Sequence, residues 1–399
     1  RSRPLRPRSS PGPAYPLAHG GARLRAQLRQ GVAGAKLTLA MTSGKPSGNR
    51  SPIRVVNSVA PIRVCDNGGW TDTWFACHGA IFNISVYPYA EVQVQVFEEG
   101  PPGIVLHAEN YAERYEVTPP PSPWGPHPLL EAAIAYMKVP AELRLELTIH
   151  SEAPTGAGTG TSAAVTVALV GALDALTPGR MTVHEAAYAA QAVETEMLHR
   201  QCGIQDQLAS AYGGISYIDM FDYPRATVSA IRLPDALWWE LERRLVLIYL
   251  GRSHDSSAIH EQVIRELEDA GPDCPPLQDL RKTAPRSRDA LFAGDFAALG
   301  RAMVENTEAQ ARLNPALVGS EASQVLAIAR EHGALGWKVN GAGGEGGSLT
   351  LLCDAHSPRK RELIRAVESA NPAFRHIPTY LSRSGLRVWT AGPASGARE

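Results

Sequence analysis

Acidic residues are missing from the start of this chain. No Asp or Glu precedes Asp66, although residues 1–65 carry 12 Lys and Arg. The remainder of the 399 residues therefore holds 27 of the 39 basic residues against all 40 acidic ones, a net of −13 hidden beneath an overall −1. So acidic a body lacks the positive surface on which non-specific nucleic-acid binding depends. Cysteine is scarce: Cys65, Cys77, Cys202, Cys274 and Cys353 are odd in number and form no CxxC pair. That argues against a disulfide framework and a zinc site, and suits a reducing cytoplasm. Long apolar runs are also lacking. Residues 153–173 are uncharged, but Pro154–Gly160 is loop material. The apolar helical stretch after it, about a dozen residues, is too short to cross a bilayer. No fixed-period repeat is visible.

What remains is the composition of a globular protein, 44% apolar and 20% charged, long enough for two domains. Residues 1–51 are read as a disordered basic extension outside the fold. An upstream extension with translation starting at Met41 is favoured over a transit peptide. From Pro52 onward, strands are expected at 53–57 and 61–64. Strict alternation at 90–96 and 143–149 predicts half-exposed antiparallel strands. Helical spacing of Val165, Ala168, Leu169, Ala172, Leu173 and Leu176 predicts a helix after the loop, and a second helix is expected over 182–199. A boundary in the Pro-bearing stretch 224–234 divides domains at 52–228 and 229–390, with a tail at 391–399. Strands are further expected at 244–250 and 348–353. Strands and helices mix without βαβ regularity, which makes the fold class α+β.

Three segments carry chemistry. In Pro154–Ala164, glycines let the backbone approach a ligand, and the following helix offers free N–H groups to a phosphate. Thr161 and Ser162 add hydroxyls within reach of a phosphate or Mg²⁺. No GK[ST] closes the loop, so it is not a Walker A motif, and a Gly/Thr turn without a ligand is the plain alternative. Gly203–Gly214 holds Asp206 between two glutamines, with Glu194 twelve residues earlier. Two carboxylates can divide the tasks of holding Mg²⁺ and handling an acceptor hydroxyl, or lie on a helix surface. Lys338–Gly347 is either a second backbone cradle or a flexible turn.

In this order, and together with Arg63–Thr73, these segments resemble the GHMP kinases (galactokinase, homoserine kinase, mevalonate kinase, phosphomevalonate kinase). Pro154–Ala164 is similar to their phosphate loop PxGxGLGSSAA, and Gly341–Gly347 to their C-terminal glycine motif. The similarity runs from about Pro61 to Val388. It leans toward the bacterial sugar-1-kinases, which include kinases of D-glycero-D-manno-heptose 7-phosphate and fucokinases.

The resemblance implies two α+β domains with the active site in the cleft between them, and ATP-dependent transfer of a γ-phosphate to a hydroxyl, the anomeric one, of a sugar or sugar phosphate. It implies ATP and Mg²⁺, and no nucleic-acid or membrane partner. By position it makes Asp206 and Arg63 catalytic. It assigns Gly69, Trp70, Thr71 and Asp72 to the substrate, and Ser162 and Glu194 to Mg²⁺. It gives the phosphates Pro154, Gly156, Gly158, Thr159, Gly160, Thr161, Ser162, Ala163, Gly341, Gly343 and Gly344.

Thr159 and Thr161 replace the family's Leu and Ser, and Glu345 stands where Gly is usual, so it is expected to point outward or to meet Mg²⁺ or Lys338. The alternatives are a silent ATP- and sugar-binding sensor and a mevalonate- or homoserine-type kinase. His254 and His260, six apart, suit a strand-to-helix loop better than a metal site.

Overall fold

The computed structural model describes residues 51–118, 123–177, 180–251 and 257–391. The basic extension expected over 1–51 lies outside these residues except for Ser51, as do His254 and the tail beyond Ala391.

The first sheet is built around two long strands, β1 (Arg54–Asn67) and β2 (Gly79–Phe97). β1 merges the two short strands expected at its place. Its pairing with β2 shifts register between Pro61 and Ile62, where proline has no N–H for the ladder. The two alternating segments pair with each other. β5 (Arg144–Ser151) runs antiparallel to β2, with Val92, Val94 and Val96 opposite Ile149, Leu147 and Leu145. These residues face the core, while Gln93 and Gln95 meet Thr148 and Glu146 on the outer face. β3 (Gly103–Ala108) lies parallel to β5, and β4 (Glu113–Glu116) closes that edge. The hairpin β6 (Ile215–Asp222) and β7 (Arg225–Ala230) pairs with the start of β2.

The inner face is covered by α1 (Pro128–Met137), α2 (Thr161–Asp174), α3 (Val183–Ala192) and α4 (Gln205–Tyr212). α2 differs from the amphipathic stripe expected of it: every residue from Thr166 to Asp174 is buried. It packs against β1 and β2 on one side and against α1, α3 and α4 on the others, so no face is left for water. α3 starts from a capping box of Thr182 and Glu185. Instead of continuing as a regular helix to 199, the chain widens into a π turn over Val193–Met197.

The second sheet has the order β11 (Arg375–Ile377), β8 (Leu245–Tyr249), β10 (Ser348–Leu352), β9 (Gly336–Val339), all antiparallel. The helices of this half of the chain are α5 (Asp235–Arg244), α6 (Ser257–Ala270), α7 (Pro275–Phe292), α8 (Phe296–Leu313), α9 (Ser320–Glu331) and α10 (Ser357–Ala370); α8, α9 and α10 pack on the second sheet, whereas α7 packs on β1, β2 and β6 of the first. The last two strands return to the first sheet: β12 (Tyr380–Leu381) pairs with β2 and β13 (Arg387–Ala391) with β1. The boundary expected at 228/229 falls inside β7, whose Val228 and Ser229 pair with Ile218 and Tyr217 of β6, and the first sheet also takes β12 and β13 from the far end of the described residues. All five cysteines are free. No helix among the described residues is long and apolar enough to cross a membrane.

Candidate active site

The loop after β5 makes three left-handed turns, at Gly156, Gly158 and Gly160, with φ of 72°, 70° and 70°. Space as well as φ demands glycine at Gly158, and at Gly160 φ demands it while an added side chain would crowd Asp206. A side chain on Gly158 would begin 2.7 Å from the carbonyl oxygen of Asn340, and one on Gly160 would begin 3.3 Å from the Asp206 carboxyl carbon. Gly160 caps α2 without a side-chain acceptor, and the first helical bond runs from the Ala164 N–H to the Gly160 carbonyl. The amides of Thr161, Ser162 and Ala163 thus have no acceptor in the helix, the situation that suits an anion. Thr159 is buried and its hydroxyl pairs with that of Thr161 at 3.2 Å, so a polar contact takes the place of the packing a leucine would make.

Asp206 sits in the first turn of α4, beside this loop. Arg63, buried in β1, reaches it with Nε at 2.8 Å. The same guanidinium donates from Nη1 to the Gly158 carbonyl, and its Nη2 lies 3.9 Å from Asp66. Burial alone would depress the arginine, but Asp206 and Asp66 outweigh it and hold the guanidinium above its ordinary range. Glu194, half-buried in the π turn, accepts from Gln207 Nε2 at 2.9 Å. Burial, and then Asp206, push its carboxyl up, while the Gln207 hydrogen bond and Arg200 oppose the rise. Among the described residues, no three His, Cys, Asp or Glu converge as a metal cluster. A hard cation here would therefore rest on one carboxylate, the Ser162 hydroxyl and oxygens of a bound phosphate, a donor set that fits Mg²⁺.

A cavity of about 640 Å³ opens beside Asp206. Its walls include Arg63, Asp72, Trp70, Trp74, Phe75 and His260. A second cavity of about 190 Å³ lies against Thr161, Ser162 and Val165, with Asn110, Tyr111 and Leu129 opposite. Arg200 lines both, so the two spaces adjoin at that side chain.

Not every candidate reaches a cavity. Asp72 and Trp70 do, but the Thr71 hydroxyl donates to the Gly68 carbonyl at 2.7 Å, and Gly69 packs on Asp66. Asp72 has a duty the sequence did not reveal. Its Oδ2 accepts the backbone N–H of Ile204 and of Gln205, both at 3.0 Å, which tethers the start of α4.

The glycine turn also differs from expectation. The Gly341 amide donates to the Asp66 carboxylate, and the Gly344 amide to the Leu317 carbonyl at 2.9 Å, so neither is left for a phosphate. Gly343 offers its carbonyl to His260. Gly341 instead backs the phosphate loop, its α-carbon facing the Gly158 carbonyl. Glu345 is exposed, and Lys338 is buried against Asp66 rather than turned toward it. Sequence reasoning missed Trp74 and Phe75, which directly follow the Asp72 motif, and it placed His260 in a strand-to-helix loop, whereas the residue lies on α6 and lines the cavity.

Burial pushes the Asp72 carboxyl up to about 6, with Asp206 adding to the rise while the Gln205 N–H and Arg63 oppose it. Between about pH 4 and 6 the folded chain therefore keeps a proton that the unfolded chain has lost. Stability falls as pH rises through that window and is level above it, a change of about 3 kcal/mol. In Asp72→Asn the new amide can donate to Gln205 Oε1, which has no partner, once that side chain flips. Urea unfolding from pH 4.5 to 7.5 should show the variant gaining on the wild type up to pH 6 and then running level with it. Parallel curves throughout would remove the burial penalty assigned to Asp72.

Residues 129–214 match the GHMP kinases N terminal domain, and residues 287–373 match the GHMP kinases C terminal region. The mevalonate kinase of Thermococcus sibiricus is 30% identical over 249 residues, covering 61% of this chain and 68% of that protein. The D-glycero-alpha-D-manno-heptose 7-phosphate kinase of Campylobacter jejuni is 24% identical over 247 residues, covering 62% and 71%. In fold, the structure of Lactococcus lactis galactokinase complexed with galactose superposes with a TM-score of 0.66 at 17% identity, covering 84% of this chain and 95% of that one. The chain belongs to the GHMP kinases, and its α+β architecture is theirs. Members of this family are ATP-dependent kinases, sugar kinases among them.

Proposed function

We propose that this protein transfers the γ-phosphate of ATP to a hydroxyl of a neutral sugar, the anomeric hydroxyl, in the large cavity. One observation carries the proposal: Asp206 touches both sites. It packs against Gly160, which opens α2, and it lines the cavity of about 640 Å³. Phosphate donor and acceptor hydroxyl can therefore meet at one carboxylate.

The smaller cavity suits the nucleotide base, with Tyr111, Leu129 and Val165 as apolar walls next to α2. The amides of Thr161–Ala163 hold the phosphates, and the α2 dipole favours their charge. Ser162 and Glu194 are the side chains that would hold Mg²⁺, which when bound neutralises phosphate charge. Asp206 accepts the hydrogen bond of the attacking hydroxyl and orients it. Arg63 fixes that carboxylate and the Gly158 end of the loop. Because phosphoryl transfer has a loose transition state, such positioning supplies most of the catalysis.

The aromatic wall of Trp70, Trp74 and Phe75 favours a sugar, whose C–H face packs on aromatic rings. Charge favours a neutral one. Among the described residues the cavity wall holds Asp72, Asp206 and Glu261, besides Asp66, which is buried and paired with Lys338. The wall's arginines are Arg63, already committed to Asp206, and Arg200. A sugar phosphate or a carboxylate such as mevalonate would meet more negative than positive charge. ADP release should be measured across fucose, galactose, glucuronate, heptose 7-phosphate and mevalonate. A neutral sugar is expected to give kcat/KM at least tenfold above every anionic acceptor. A heptose 7-phosphate or mevalonate at the top would overturn the neutral assignment, and ATP binding without turnover on any acceptor would favour a sensor.

A further inference from the structure

Beneath the site lies a buried charge cluster that the mechanism above does not use. Asp66, at the end of β1, is fully buried. Its Oδ1 is 3.3 Å from Lys338 Nζ, and its carboxylate accepts the Gly341 N–H. Lys338, on β9 and 1% exposed, also donates to Gln310 Oε1 at 3.2 Å and to the Val339 carbonyl. Gln310 in turn donates to the Gly341 carbonyl at 3.1 Å. The remaining face of Asp66 is turned to Arg63 Nη2. Two edges of the Arg63 fork are hydrogen-bonded, Nε to Asp206 and Nη1 to the Gly158 carbonyl, and Nη2 faces Asp66 as an ion pair at 3.9 Å.

We propose that Asp66 is a positioning residue for phosphoryl transfer: clamped by Lys338 on β9 and by the Gly341 amide in the turn after it, its charge holds the Nη2 edge of the Arg63 guanidinium so that Nε stays on Asp206. The Gly158 carbonyl and Asp206 hold two edges of the planar fork, and the Asp66 charge facing the third opposes its rotation away from them, the directional use to which arginine is suited. Two cations and two carboxylates balance within the cluster, so Lys338 supplies the charge that makes a buried Asp66 tolerable. The link spans 275 residues between Asp66 and Gly341, and through it the second sheet sets the aim of a group on the first.

The inference rests on the proposed phosphotransfer, and a double-mutant cycle in the full-length protein separates the two. Asp66→Asn should lower kcat by about 10- to 100-fold with the KM for ATP and for the best acceptor changed less than threefold. In an Arg63→Met background the same substitution should change kcat by less than twofold, because Asp66 acts through the arginine. Equal losses in both backgrounds would mean a merely structural role and overturn the proposal. So would full activity of Asp66→Asn while Arg63→Met is severely impaired. An Arg63→Met protein with unaltered kcat would remove the arginine's role and this proposal with it, whereas a wild-type protein showing no acceptor-dependent ADP release would sink the phosphotransfer reading itself. Should Asp66→Asn fail to fold because it strands the Lys338 ammonium, the Asp66→Asn/Lys338→Met pair removes both charges, and the cycle runs with that pair against the same criteria.

Discussion

Asp206→Asn is expected to lower kcat by about 10²–10⁴-fold while ATP binding persists, the range that loss of a proton-handling group produces. The substitution keeps size and keeps an oxygen for Arg63 Nε, so the 2.8 Å contact has no steric reason to break. What disappears is the negative charge beside the acceptor hydroxyl. The amides at the start of α2 belong to the backbone and are untouched, so the calorimetric Kd for ATP should change less than threefold. An anomeric hydroxyl is more acidic than an ordinary alcohol, which sets the loss toward the lower end of the range. A drop in kcat under about threefold would reject the role given to Asp206.

Gly158→Ala should be nearly as damaging, through geometry rather than charge. At φ +70° a side chain is strained, and here its first carbon would begin 2.7 Å from the Asn340 carbonyl oxygen. The loop can relieve that only by leaving the 341 turn, and it then loses the Arg63 bond to the Gly158 carbonyl. We expect the KM for ATP to rise at least tenfold and kcat to fall by about two orders of magnitude, since a displacement near 1 Å at a reacting centre costs that much. Gly333→Ala is the control. It shares the left-handed φ, +67°, but nothing lies within 4 Å of the added carbon. It should cost some stability and leave the kinetics unchanged. Equal effects from the two substitutions would mean that backbone strain alone, not the loop contact, is being measured.

Much of the fold was legible in local pattern. The alternation at 90–96 and 143–149 named two strands that do pair, and the Gly-rich run followed by an apolar stretch named a loop and a helix. The candidate site was legible as motifs in order. What stayed hidden depends on partners distant in sequence. Nothing near Asp66 announces Lys338 or Gly341, and nothing near Asp72 announces that its carboxylate ties down α4. Burial of α2 on every side follows from β1 and β2 on one side and three helices on the others, whereas a single periodicity reports only one face. The π turn that sets Glu194 comes from one extra residue in a helical turn, which propensity does not encode. The glycine turn misled because glycines permit several backbone paths, and only their neighbours decide whether an amide faces a ligand.

The central claim is that triphosphate and acceptor converge on Asp206. Its most direct test is a single turnover with γ-labelled ATP and the best neutral sugar, read by ³¹P NMR of the product. The account predicts a new sugar phosphate whose phosphorus couples to the anomeric proton, formed at the rate of ADP release and nearly absent in Asp206→Asn. Label recovered only as inorganic phosphate, or sugar phosphate formed equally well by Asp206→Asn, would contradict it.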